Sequence, residues 1–157
     1  MLWALTSGSP GDFYGSDDWE FHPGWADRLS TGAVRQIRGL RAWFAARTWH
    51  QLAPDTGTGF LTSGRGSRVG SGSTADVLES DYATAALAAD RSWGVMYVPT
   101  ARTIGVSARA LGGAGDAYGL DPCSLSRSAR VAVDRAVAHP GRNACGAEDW
   151  LFVVEGR

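Results

Sequence analysis

The sequence predicts an α+β protein, a helix-bearing first third followed by a small antiparallel β-sandwich. Three observations carry that expectation. The run SDYATAALAADRSWGVMYVPT at residues 80–100 reads as two strands joined by a short polar turn. A strong helical period, Val34, Ile37, Leu40 and Phe44, lies well before it. After it, short alternating runs are punctuated by turn residues about every eight to twelve positions, the rhythm of a sandwich.

The hairpin organises the rest. Val95, Tyr97 and Pro99 fall in register with Trp93, while Met96 and Val98 take the opposite face, so both faces of the second strand are apolar. Such a strand belongs inside a sheet, since an edge strand normally keeps one polar face. The first strand, residues 82–88, is small on both faces, with Ala83, Ala85 and Leu87 alternating against Thr84, Ala86 and Ala88. A bulky neighbour can therefore pack close above it.

Taken in order, residues 1–6 form a short apolar piece ended by the breakers Gly8 to Pro10, and a strand of about five residues is expected next. Neither a cationic leader nor a long apolar run occurs in residues 1–13, so no signal peptide or membrane span is read there. Phe13 and Tyr14 precede a loop that gathers Asp17, Asp18, Trp19, Glu20, Phe21, His22 and Trp25. Carboxylates beside indoles suit a sugar-binding rim; the competing reading is an acidic loop whose tryptophans belong to the core. Residues 27–49 carry the helix, with Ser30 or Thr31 as cap, Trp43 widening the apolar stripe, and Arg35, Arg38 and Arg41 on the other side. Gly39 inside it costs ~1 kcal/mol against Ala. So apolar a stripe needs a partner surface, and the preceding residues are too few to supply one. An isolated chain would then expose Val34, Ile37, Leu40 and Phe44 and aggregate or capture a partner.

An extended passage at residues 48–55 leads into a Gly/Ser-rich run with Arg65 and Arg68, to which no structure is assigned between Gly57 and Ser73. This divides the chain into residues 1–55, a connection at 56–75, and the sandwich at 76–157. Beyond the hairpin, strands are expected at 103–107 with Ile104 and Val106 on one face, at 116–120, and within 128–137 with Val131 and Val133 inward, the last in preference to a helix capped by Ser126 or Ser128. Residues 139–150 form a loop. A closing strand at 150–155 places Trp150, Phe152 and Val154 on one face.

Charge and motif content exclude several functions. The 15 basic and 16 acidic residues nearly cancel, which argues against nucleic acid or an anionic membrane as a partner through bulk charge. All the cations are Arg, so Schiff-base lysine chemistry and a P-loop lysine are ruled out. No nucleophile elbow, dinucleotide turn or helical zinc motif occurs. Cys123, His139 and Cys145 match no common zinc spacing, and no cofactor or metal is expected. Two unpaired loop cysteines are the favoured reading, with a Cys123–Cys145 disulfide second.

LWALTSGSPGDFYGSDDWEFHPGW, the helix through RAWFAARTWHQLAPD, SDYATAALAADRSWGVMYVPTARTIGV and HPGRNACGAEDWLFVVE together resemble the C-terminal part of an apiosidase-like glycoside hydrolase. Its most specific pieces are FYG followed by Trp19, the DYATA and YVPT arms of the hairpin, and the DW-hydrophobic run near the end. The resemblance implies a TIM-like barrel followed by a β-sandwich labelled a collagen-binding domain of a collagenase, in an extracellular protein. Residues 1–55 would be a remnant of that (β/α) barrel, a strand, loop and long helix. A complete barrel takes on the order of 250 residues, and its catalytic carboxylate pair comes from strands earlier than this chain, so no catalytic residue is assigned. Tyr14, Asp17 and Trp19 stand where barrel loops reach substrate and are the candidate sugar contacts. The expected function is the inactive C-terminal part of a secreted glycoside hydrolase acting on polysaccharide or glycan side chains. The alternative is a stand-alone module binding carbohydrate or a collagen-like protein. Trp93, Tyr97, Tyr118 and Trp150 are available as a stacking platform for the sandwich, but the preferred reading is that most of them are core, since the sandwich has few other large residues.

Overall fold

The structure is a computed structural model that describes residues 1–11, 14–15, 17–57, 59–67, 80–133 and 136–157. Its centre is a six-stranded sheet in the order β1-β3-β4-β8-β6-β7, with β1 Leu52–Pro54, β3 Thr84–Ala88, β4 Trp93–Val98, β6 Gly115–Leu120, β7 Val131–Ala132 and β8 Trp150–Gly156. A second sheet pairs β2 Leu61–Ser63 with β5 Gly105–Val106. All pairings are antiparallel. The expected hairpin forms, with Thr84 opposite Tyr97 and Leu87 opposite Gly94. β4 is interior, as its two apolar faces require, and β8 lies beside it with Trp93 opposite Glu155 and Val98 opposite Trp150.

Alternation along these strands divides the core in two. Met96, Val98, Trp150, Phe152 and Val154 share one face with Ala83 and Ala85, and the β2–β5 pair covers it through Phe60, Leu61, Ile104 and Val106. Trp93, Val95, Tyr118, Leu120, Leu151 and Val153 share the other face with two helical residues, Leu40 and Phe44. Phe60 comes so close that a Cβ on Gly94 would lie 2.4 Å from its ring, which explains a glycine inside a central strand.

Two helices lie on the second face, α1 Leu2–Thr6 and α3 Gly32–Ala45; between them a short helix, α2 Trp25–Arg28, buries no residue. Thr31 caps α3, its hydroxyl accepting from the Val34 N–H at 3.4 Å. α1 is tied to β3 by the Trp3 Nε1–H donating to the Tyr82 carbonyl at 2.7 Å and by a hydroxyl pair between Thr6 and Thr84 at 2.5 Å. Among the described residues no helix is long and apolar enough to cross a membrane.

Several expectations change. The α3 stripe is not orphaned: Leu40 and Phe44 are buried against the sheet that follows them in sequence, so the partner lies downstream rather than upstream. No strand precedes Leu52 among the described residues, and Phe13 lies outside them. The Gly/Ser-rich run holds a strand, β2, because Leu61 is drawn into the core beside Phe60; Arg68 lies outside the described residues. In the 128–137 segment Val133 is buried but Val131 is exposed, since β7 is a two-residue edge piece that ends before the alternation can continue. Cys123 and Cys145 are joined in a disulfide rather than free. One preferred reading holds: Trp93, Tyr118 and Trp150 are buried and Tyr97 is half-buried, so these four rings belong to the core and form no platform.

Candidate functional site: an exposed aromatic loop

With those rings inside, the large aromatics exposed among the described residues fall in one stretch of the chain. Tyr14, Trp19 and Phe21 are 54%, 74% and 67% exposed, all in the segment that connects α1 to α2. Exposed indole and phenol faces are what a sugar ring stacks on, because its axial C–H groups offer an apolar patch while its hydroxyls reach polar neighbours. Polar neighbours are present: a short 3-10 turn at Asp17–Glu20 carries Trp19, and the Glu20 carboxylate pairs with His22 Nε2 at 2.6 Å. The side chain of Asp17 lies outside the described residues, so the structure places its backbone in that turn and no more.

The loop is held by backbone geometry more than by burial. Phe21 has φ +55°, unusual for a bulky side chain. That turn sets its ring edge-on to Trp25, centroids 5.1 Å apart. The Trp25 N–H donates to the His22 carbonyl at 3.0 Å, and Gly24, at φ +84°, starts α2. A left-handed aromatic costs on the order of 1–2 kcal/mol, and such strain concentrates at working sites.

Beneath α3 a second arrangement fixes the helix that follows this loop. The Cys123–Cys145 bridge ties the turn after β6 to the loop before β8, and Gln36 Nε2 donates towards both sulfurs, at 3.4 and 3.1 Å. The buried Asp121 carboxylate accepts from the N–H groups of Cys123, Ser124 and Ala144 at 2.7, 3.1 and 2.8 Å, so it spans the same two loops. Burial works to raise this carboxyl, but those three donors outweigh it and hold it below the ordinary carboxylate range. Tyr97 lies nearby with its hydroxyl donating to Asp149 at 3.3 Å, and burial first, then the Asp149 charge, push it well above an ordinary phenol.

A cleft missed by sequence reasoning opens between α1 and the β1–β3 edge, about 660 Å³ in volume and lined by Thr6, Ser7, Thr56, Arg65, Tyr82 and Thr84 among others. At its floor the fully buried Asp55 carboxylate accepts from the Leu61 N–H at 2.8 Å and from Arg65 at 2.6 Å. The only sequence signal was an Asp before Thr-Gly, typical of a turn. Because the Leu61 and Arg65 contacts close the loop into β2, this pair is a loop staple.

No family model matches the chain, and no curated protein does either. Solved structures do. A glycoside hydrolase superposes with a TM-score of 0.74 at 17% identity, covering 99% of this chain and 35% of its own. A glycoside hydrolase family 5 protein from Bacteroides vulgatus ATCC 8482 gives 0.62 at 16% identity, covering 96% of this chain and 29% of its own. The chain thus spans about a third of the length of these neighbours and shares the fold of a part of glycoside hydrolases.

Proposed function

We propose that the chain is the C-terminal part of a glycoside hydrolase of the apiosidase-like kind. Residues 1–55 end its barrel and lend β1 to the sheet, 56–75 connect and lend β2 to the core, and 76–157 form the body of the accessory sandwich; the chain meets glycan through Tyr14, Asp17 and Trp19 and has no hydrolytic activity of its own. The observation that carries this reading is the loop of exposed aromatics on a fold shared, over nearly its whole length, with glycoside hydrolases. The apolar stripe of α3 packs on the sheet, so α3 is the joint between the two parts. A disulfide joining two surface loops fits an extracellular protein. Glycan is preferred to a collagen-like protein because the rings that would have made a platform on the sandwich are buried.

Affinity electrophoresis through gels containing neutral polysaccharides, with reducing-sugar release assayed in parallel, tests the proposal. Retardation by at least one neutral glycan, lost in Trp19→Ala, with no sugar released, is the expected outcome. Hydrolysis by the 157-residue chain, or retardation unchanged by Trp19→Ala, would overturn it. Trp19 is exposed, so its removal shifts stability by no more than about 0.5 kcal/mol and the loss of binding is not a loss of fold.

A further inference from the structure

The charge distribution around α3 points to a second surface. Between Asp27 and Asp55 the sequence contains no Asp or Glu but five arginines: Arg28, Arg35, Arg38, Arg41 and Arg47. Two of these are engaged elsewhere. Arg47 stacks over the Trp43 ring at 3.8 Å and donates to the Trp43 carbonyl at 2.9 Å, and Arg28 has a partner of its own. The other three are exposed on α3, Arg35 and Arg38 opposite the buried Leu40 and Phe44 and Arg41 on the flank between. Arg35 donates to the Ser30 carbonyl. Arg38 and Arg41 have neither hydrogen bond nor ion pair among the described residues.

Spacings of three residues make these guanidinium groups neighbours on the helix surface, where like charges repel. With no carboxylate on α3 to offset this, the face is matched to an anion supplied from outside. We propose that the outer face of α3 binds a carboxylate-bearing polysaccharide, Arg38 and Arg41 each engaging a uronate carboxylate through the two-pronged guanidinium geometry and Arg35 extending the row. A folded protein partner is disfavoured because the exposed apolar residues flanking the arginines are alanines, Ala33, Ala42, Ala45 and Ala46, with no aromatic anchor for an interface core. An extended polyanion needs only a row of charges, and the neighbours in fold are glycoside hydrolases.

The test is affinity electrophoresis of the whole chain through polygalacturonate, fully methyl-esterified polygalacturonate, and duplex DNA, at salt rising from about 20 to 200 mM, a range over which screening changes strongly. Retardation by polygalacturonate at low salt is expected, abolished by esterification and falling with salt as about two to three released counterions dictate. Arg38→Gln/Arg41→Gln should weaken it by on the order of ten-fold while the thermal midpoint stays unchanged. Equal retardation of that variant, retardation by the esterified polymer, or stronger retardation by DNA would each overturn the assignment. None of these outcomes bears on the aromatic loop, which is assayed with neutral glycans.

Discussion

Gly39 is a glycine in the middle of α3, and in an isolated helix Gly39→Ala would stabilise by ~1 kcal/mol. The structure predicts otherwise. An added Cβ would lie 2.9 Å from Leu125 Cδ1, in a side chain that packs against the helix-side core from a backbone at φ +61°. The backbone of Leu125 is pinned, its N–H donating to the Asp121 carbonyl at 2.9 Å and the neighbouring Ser124 held by the Asp121 carboxylate, so relief comes from rotating the Cδ1 end of a half-buried side chain. That rotation costs at the low end of the ~1–3 kcal/mol of overpacking, so it cancels the propensity gain and Gly39→Ala is close to neutral. In a Leu125→Ala background the obstruction is gone and the same substitution should stabilise by ~1 kcal/mol. Urea unfolding of the four proteins, followed by far-UV circular dichroism, gives the coupling directly, and at least ~1 kcal/mol is expected. Stabilisation of equal size in both backgrounds would refute the packing of α3 on the 121–126 turn.

Two further predictions concern the same region. Replacing Cys123 and Cys145 by Ser opens a loop with a sequence separation of 22 and should cost ~3 kcal/mol by the loop-entropy relation, read as a lower urea midpoint. Asp121→Asn places an amide N–H against one of three backbone donors and should cost about 1–3 kcal/mol at neutral pH. Since the folded carboxyl is held below its unfolded value, its contribution is complete above pH ~4 and is lost as pH falls through the lower folded value. The variant's stability should therefore fall less steeply with acid than the parent's, and an identical pH profile would count against the staple.

Much of the fold was legible in local pattern. Period-two alternation located β3, β4 and β8 and the faces of Trp150, Phe152 and Val154, because a strand buried on both sides leaves few polar positions to mislead. A helical period located α3 within residues 27–49, with Ser30 or Thr31 as cap, though the helix is only Gly32–Ala45 and Thr31 is the cap. What pattern does not carry is the identity of a partner. The stripe from Val34 to Phe44 demands a surface, but nothing local says that the surface is built by later strands, from Trp93 and Val95 to residues as distant as Leu151 and Val153. The disulfide escaped for the same reason, since a separation of 22 residues does not reveal a Cα–Cα distance of 6.1 Å. Composition hid β2, where a Gly/Ser-rich run disguised Phe60 and Leu61 as linker. At the candidate site residue type suggested chemistry, whereas exposure had to be seen: Trp19 and Trp93 are equivalent as letters, and only the fold puts one in solvent and the other in the core.

The measurement that tests the functional account most directly is the set of indole N–H signals of the seven tryptophans, followed by two-dimensional NMR as neutral oligosaccharides of the retarding polysaccharide are added. The account predicts that the Trp19 signal shifts in a saturable way while those of the buried Trp93 and Trp150 stay in place. A saturable shift at Trp93 or Trp150 with Trp19 unmoved, or no shift at any indole, would contradict it.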